Sequence, residues 1–117
     1  MILKIEQRRI EPDVVVLELV GKLLMGNESK RLELQVEELL RNNQKKFIFD
    51  LSQLTHMDST GIGIILFCYG KLKHHGAELR VAGASGIVDN TLRMTRVNEV
   101  VKFFPTAAAA ADGFTLS

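Results

Sequence analysis

With a single cysteine, Cys68, the 117-residue sequence has no means of forming an intrachain disulfide, which suits a reducing compartment. Cys68 falls in a strongly apolar segment, where a small buried thiol is the ordinary expectation. That segment, Ile62 to Tyr69, is the longest of its kind and falls far short of the roughly 20 residues that span a bilayer. The amino-terminal residues alternate Ile2, Lys4, Glu6 and Arg8 with their neighbours and hold no apolar stretch of signal-peptide type. A cytoplasmic protein without a membrane span is expected. Charge of one sign is missing as well. The formal net charge is +1, and short basic clusters such as Arg8-Arg9 and Lys45-Lys46 fall short of the concentrated stripe by which a protein grips nucleic acid directly.

Signatures of chemistry are equally sparse. A nucleophile elbow needs glycine two positions before its serine, and Met57 occupies that place before Ser59, too bulky for the strained turn. His56, His74 and His75 have no spacing that pairs a base with a nucleophile, and they read as surface residues. His74 and His75 are adjacent, so on a helix they diverge by about 100 degrees instead of converging on one metal ion. Neither Cys-x-x-Cys nor His-x-x-x-His occurs. Gly61-Ile62-Gly63 lacks the glycine-lysine of a phosphate-binding loop and reads better as close packing of a helix start against a sheet. No enzyme site, metal or cofactor is therefore expected.

What is present is the pattern of one α/β domain over 1–117. Hydrophobic content is 46% and charged content 25%, ordinary for a folded globular chain. Residues 2 to 8 and 14 to 20 read as a hairpin joined at Glu11-Pro12-Asp13. Asn27-Glu28-Ser29 opens a helix with Leu32, Val36, Leu39 and Leu40 on one face, closed by Asn42-Asn43. Phe47-Ile48-Phe49 suits a strand covered on both sides, and Glu78 to Ala82 is another after a helix from Ser59 to about His75. Ser85-Gly86 starts a short helix through about Met94, Glu99 to Phe104 is a brief edge strand, and Ala107 to Ala111 makes a terminal helix stopped by Asp112-Gly113. Repeated strand-helix-strand units imply a mixed four- or five-stranded sheet, with helices packed mainly on one side.

The stretch from Phe47 to Leu66 carries the functional reading. It joins a buried strand to a helix through a polar loop and sets Ser59 at the helix start. A phosphate there would meet unpaired backbone N–H groups and the positive end of the helix dipole. On the capping pattern alone, Asp58 and Ser59 read equally as N-cap residues worth about 1 kcal/mol. Helical projection puts Ile62, Ile65, Leu66, Tyr69 and Leu72 on the core side and Thr60, Ile64, Phe67, Lys71 and His74 opposite. Ile64 and Phe67 are thus expected at the surface, either as part of a partner interface with Lys71 or beneath a neighbouring loop or the terminal helix.

Asp58-Ser59-Thr60-Gly61 followed by Ile-Gly-Ile-Ile-Leu, after a strand ending Asp50-Leu51 and the segment Leu54-Thr55-His56-Met57, resembles the signature of the STAS domain. It is most similar to that of the bacterial anti-sigma factor antagonists. The resemblance implies a STAS-like fold and a phosphorylation site at Ser59, with Asp58, Thr60 and Gly61 as its switch loop. It also implies an anti-sigma factor as partner, released when a kinase-type anti-sigma factor phosphorylates Ser59. One departure stands out: where the antagonists carry a Gly-Glu-Leu-Asp pattern beside the site, this chain has Gly21-Lys22-Leu23-Leu24. That favours, as alternative, an unphosphorylated STAS scaffold or transporter-associated subunit. A small enzyme or nucleotide-binding protein using the Ser59 loop has the least support, and none of these features specifies the oligomeric state.

Overall fold

The computed structural model describes residues 3–115. Strand β1 (Leu3–Ile10) turns at Glu11-Pro12-Asp13 into β2 (Val14–Leu23), and the two pair antiparallel from Leu3↔Gly21 to Ile10↔Val14. Ile2, expected in the first strand, lies outside the described residues. Helix α1 (Asn27–Arg41) follows, ending where Asn43 takes the left-handed conformation that asparagine tolerates. Then come β3 (Lys46–Asp50), β4 (Leu54–Met57), α2 (Ser59–His74), β5 (Glu78–Ala82) and α3 (Gly86–Met94). A single 3₁₀ turn, Val97–Glu99, leads to β6 (Lys102–Phe104) and α4 (Ala107–Thr115).

The strands form one mixed sheet in the order β1-β2-β3-β5-β6, with β4 paired to β2. Only β1 runs antiparallel to its neighbour. Six strands replace the expected four or five, because β4 was hidden in the sequence. Its four residues show only Leu54 buried, while Thr55 and His56 face out. It forms because β2 is long. Residues 14–18 of β2 pair with β3, and the chain then turns at Leu51–Gln53 and re-pairs beside Gly21, Lys22 and Leu23.

Alternation along the strands sorts the core into two faces. Val15, Leu17 and Leu19 of β2, Phe47 and Phe49 of β3, and Leu79 and Val81 of β5 pack beneath α1, α2 and α3. Register stacks them in rows, Val15↔Phe47↔Leu79 and Leu17↔Phe49↔Val81. Val14, Val16, Ile48 and Ala82 point the other way, against Ala107, Ala110, Ala111 and Phe114 of α4. Helices therefore lie mainly on one side, three against one.

Helix α4 runs past Asp112-Gly113, the expected stop, to Thr115. The reason is Arg80, a buried cation on the α4 side of β5. Its Nε donates to Glu78 Oε2 at 2.8 Å and its Nη1 to the Ala110 carbonyl at 3.2 Å, and its guanidinium lies 4.0 Å from the Phe114 ring centre. Gly113 sits where any Cβ would collide with that guanidinium, so glycine here serves close approach rather than termination.

Candidate functional site

The site forms where β4 passes into α2. Asp58 N approaches the Leu23 carbonyl at 3.4 Å, so the helix begins directly against the end of β2. Gly61 makes that approach possible. A Cβ at this position would lie 2.6 Å from the Leu23 oxygen and 2.9 Å from Met57 Cγ, whereas one at Gly63 would meet nothing within 4 Å. Close packing at the helix start, read from Gly61-Ile62-Gly63, thus belongs to Gly61 alone.

Asp58, and not Ser59, is the cap. Its Oδ1 accepts the Gly61 N–H at 3.0 Å across the first turn of α2, while Oδ2 accepts the Met25 N–H at 3.1 Å from the loop between β2 and α1. The Gly61 N–H, aided by those of Met25 and Thr60, holds the Asp58 carboxyl below the usual carboxylate range, against an opposing push from burial. Ser59 is the first helical residue, exposed, with its hydroxyl outside the capping hydrogen bonds. Its side chain is open to solvent and clear of the core. Thr60 beside it is half-buried and Gly61 buried.

Met25 is the partner of the cap that sequence reasoning missed. Asp58 and Met25 are 33 residues apart, and no local pattern announces a bond between them. Lys22 and His56, both exposed, face each other across the β2–β4 pair, so a cation occupies the place where the antagonist pattern has an acid.

Along α2 the projected face was rotated. Gly61, Ile64, Ile65, Cys68 and Leu72 are buried, while Leu66, expected in the core, is exposed. Ile64, expected at the surface, keeps only 7% of its area accessible and cannot be a partner contact. The error has a physical origin: α2 is apolar almost all round, so composition does not set its phase. Gly61 marks the close approach of the helix start to the end of β2, and Cys68, two turns on, lies on the same buried face. Burial pushes the Cys68 thiol up to about 12, with Glu33 and Glu37 adding to the shift, so it is a core group and not a nucleophile.

Phe67 does emerge, 48% exposed, and the Lys71 ammonium lies 5.8 Å from its ring centre while also pairing with Glu37 of α1 at 3.2 Å. Leu66, Phe67, Gly70, Lys71, His74 and His75 line a shallow open groove of about 480 Å³. Phe67 stands on the same side of the helix as Thr60, two turns further along. The three histidines are exposed as expected. No cluster of three His, Cys, Asp or Glu residues suited to a metal occurs among the described residues, and no helix there is long and apolar enough to cross a membrane.

Solved structures share this arrangement of sheet and helices. A putative anti-sigma factor antagonist from Thermotoga maritima superposes with a TM-score of 0.84 at 21% identity, covering 93% of this chain and 92% of its own. The anti-sigma factor antagonist SpoIIAA in its unphosphorylated form gives 0.82 at 16% identity, covering 97% and 98%. Bacillus SpoIIAA in the phosphorylated form gives 0.72 at 16%, covering 95% and 99%. A sulfate transporter family protein from Wolinella succinogenes gives 0.73, also at 16%, covering 93% and 90%. At these identities the likeness is one of fold. The sequence itself goes further, because the STAS domain family matches residues 7–110, from within β1 to α4 and through the whole Asp58-Ser59 junction. The chain is thus a member of the STAS domain family.

Proposed function

We propose that this chain is an anti-sigma factor antagonist, a regulatory protein-binding domain and not an enzyme, switched by phosphorylation of Ser59. The observation that carries the reading is an exposed serine at the first position of α2, free of the cap that Asp58 provides. The unmodified face binds an anti-sigma factor and so frees a sigma factor. A kinase-type partner transfers the γ-phosphoryl of ATP to Ser59 Oγ, releasing ADP and the hydroxyl proton. The product carries about two negative charges beside Asp58. They leave the fold intact, since a helix N-terminus tolerates negative charge, and they obstruct docking. The same fold in antagonists, one of them solved in phosphorylated form, supports this. Phe67 and Lys71 extend the docking surface along α2.

Calorimetric titration against the anti-sigma factor encoded nearest this chain tests the proposal, together with phosphopeptide mass spectrometry after incubation with that partner and ATP. Binding by the unmodified chain, its loss in Ser59→Asp, and modification at Ser59 rather than Thr60 or Ser52 are expected. Equal affinity of Ser59→Asp would reduce Ser59 to a structural role. Lys22 favours a second reading, a STAS module that is never phosphorylated and serves a transporter, in keeping with the Wolinella structure. That reading predicts no modification by a kinase proven active on another antagonist.

A further inference from the structure

We propose that Asp58 is a positioning residue that relays the charge state of Ser59 to the loop between β2 and α1. One carboxylate serves two elements. Oδ1 holds the Gly61 N–H of α2 at 3.0 Å, and Oδ2 holds the Met25 N–H at 3.1 Å. Met25 is 76% exposed and follows Leu24, whose carbonyl accepts the hydroxyl of the buried Ser29, so the loop is tied at one end to α1 and at its tip to Asp58. The following residue, Gly26, has φ 151° and nothing within 4 Å of a would-be Cβ, and its carbonyl accepts the Lys30 N–H of α1 at 3.4 Å, so the loop tip at Met25 is uncrowded and has Asp58 as its tie across to α2.

A negative group on Ser59 acts on Asp58 in two ways. It competes for the same first-turn N–H groups, and it repels the neighbouring carboxylate. The bond to Gly61 lies within the helix turn, and the bond to Met25 joins separate segments at the exposed surface. The repulsion is relieved only when the carboxylate turns away from Ser59, which breaks both of its bonds; with the two side chains on the order of 6 Å apart in a water-like medium, one added charge favours that turn about threefold and a phosphoryl group about tenfold at most. The biological weight of the relay rests on Ser59 being the modified residue. The relay itself does not.

Amide exchange of the full ¹⁵N-labelled chain, followed by NMR at Met25 and Gly61, tests it without partner or kinase. Ser59→Glu should speed Met25 exchange about threefold, and phosphoserine incorporated directly at 59 about tenfold at most. The neutral Ser59→Gln should leave it at the original rate. In an Asp58→Asn background, which keeps an acceptor oxygen and loses the charge, the difference between Glu and Gln at 59 should vanish. A merely structural cap would show no dependence on charge at 59. Equal Met25 rates for Ser59→Glu and Ser59→Gln, or an undiminished difference in the Asp58→Asn background, would overturn the relay. A relay seen by NMR alongside unchanged partner binding by Ser59→Asp would count against the proposed switch alone.

Discussion

Replacing Gly61 by alanine asks whether α2 really starts in contact with the end of β2. The new Cβ would stand 2.6 Å from the Leu23 carbonyl oxygen, a backbone atom at the β2–β4 pairing that cannot rotate away, and 2.9 Å from Met57 Cγ. Overpacking of this kind costs about 1–3 kcal/mol, and the better helix propensity of alanine offsets about 1 kcal/mol at most. Because the 2.6 Å clash is with a backbone oxygen, the cost lies at the upper end, about 2–3 kcal/mol, and a net loss of about 1–2 kcal/mol follows. An unfolding entropy of about 2.1 cal/mol/K per residue then puts the drop in Tm at about 4–8 °C for a chain of this length. Gly63, two residues on in the same helix, is the internal control. A Cβ there meets nothing, so Gly63→Ala should gain up to about 1 kcal/mol and raise Tm by about 3–4 °C. Calorimetric melting of both variants decides the matter by sign. Gly61→Ala melting at or above the parent, or Gly63→Ala falling as far as Gly61→Ala, would refute the close approach and with it the placement of Ser59.

Two further outcomes follow from burial and charge. Phe67→Gln should leave stability within about 0.5 kcal/mol while weakening partner binding, whereas Ile64→Ala should cost about 2–5 kcal/mol; chemical denaturation beside binding titration checks both, and a large stability loss at Phe67 would remove it from the surface. Asp58 has its carboxyl lowered by the Gly61 N–H, so the cap contributes stability above the unfolded carboxylate pKa and loses it as pH falls through the lower folded value. Asp58→Asn should therefore flatten the acid limb of a Tm-against-pH curve, and an acid limb identical to the parent's would show that the cap is not titrating there.

Negative charge at Ser59 is compatible with an intact fold because everything beneath it is anchored elsewhere. Ile65, Cys68 and Leu72 fix α2 on the sheet with 0–1% of their areas exposed, and Lys71, Lys73 and His74 complement the far end of the helix dipole. A phosphoryl group therefore has no core to disrupt. Under the proposed switch its effects run outward, to a docking partner and to the loop that Asp58 holds.

The helix start at Ser59 was legible in the sequence because its determinants are local. Asp58, Ser59 and the apolar run after them declare a capped helix start, and Phe47-Ile48-Phe49 declares the buried strand before it. Elements whose form depends on distant residues were the ones misread. Strand β4 exists because β2 extends beyond β3, which the residues Leu54 to Met57 do not encode by themselves. Gly113 imitates a helix stop and is in fact the gap into which Arg80 fits, a cation 33 positions earlier in the chain. The phase of α2 failed for the opposite reason, an excess of apolar residues. With Ile62, Ile64, Ile65, Leu66 and Phe67 in one turn and a half, every projection buries something plausible. Small residues do not resolve the phase by themselves either, since Gly61 is buried against Leu23 while Gly63 and Gly70 on the same helix are open. The face is set instead by the contact of Gly61 with the Leu23 carbonyl at the end of β2, 38 positions away in the chain and beyond the reach of any local projection.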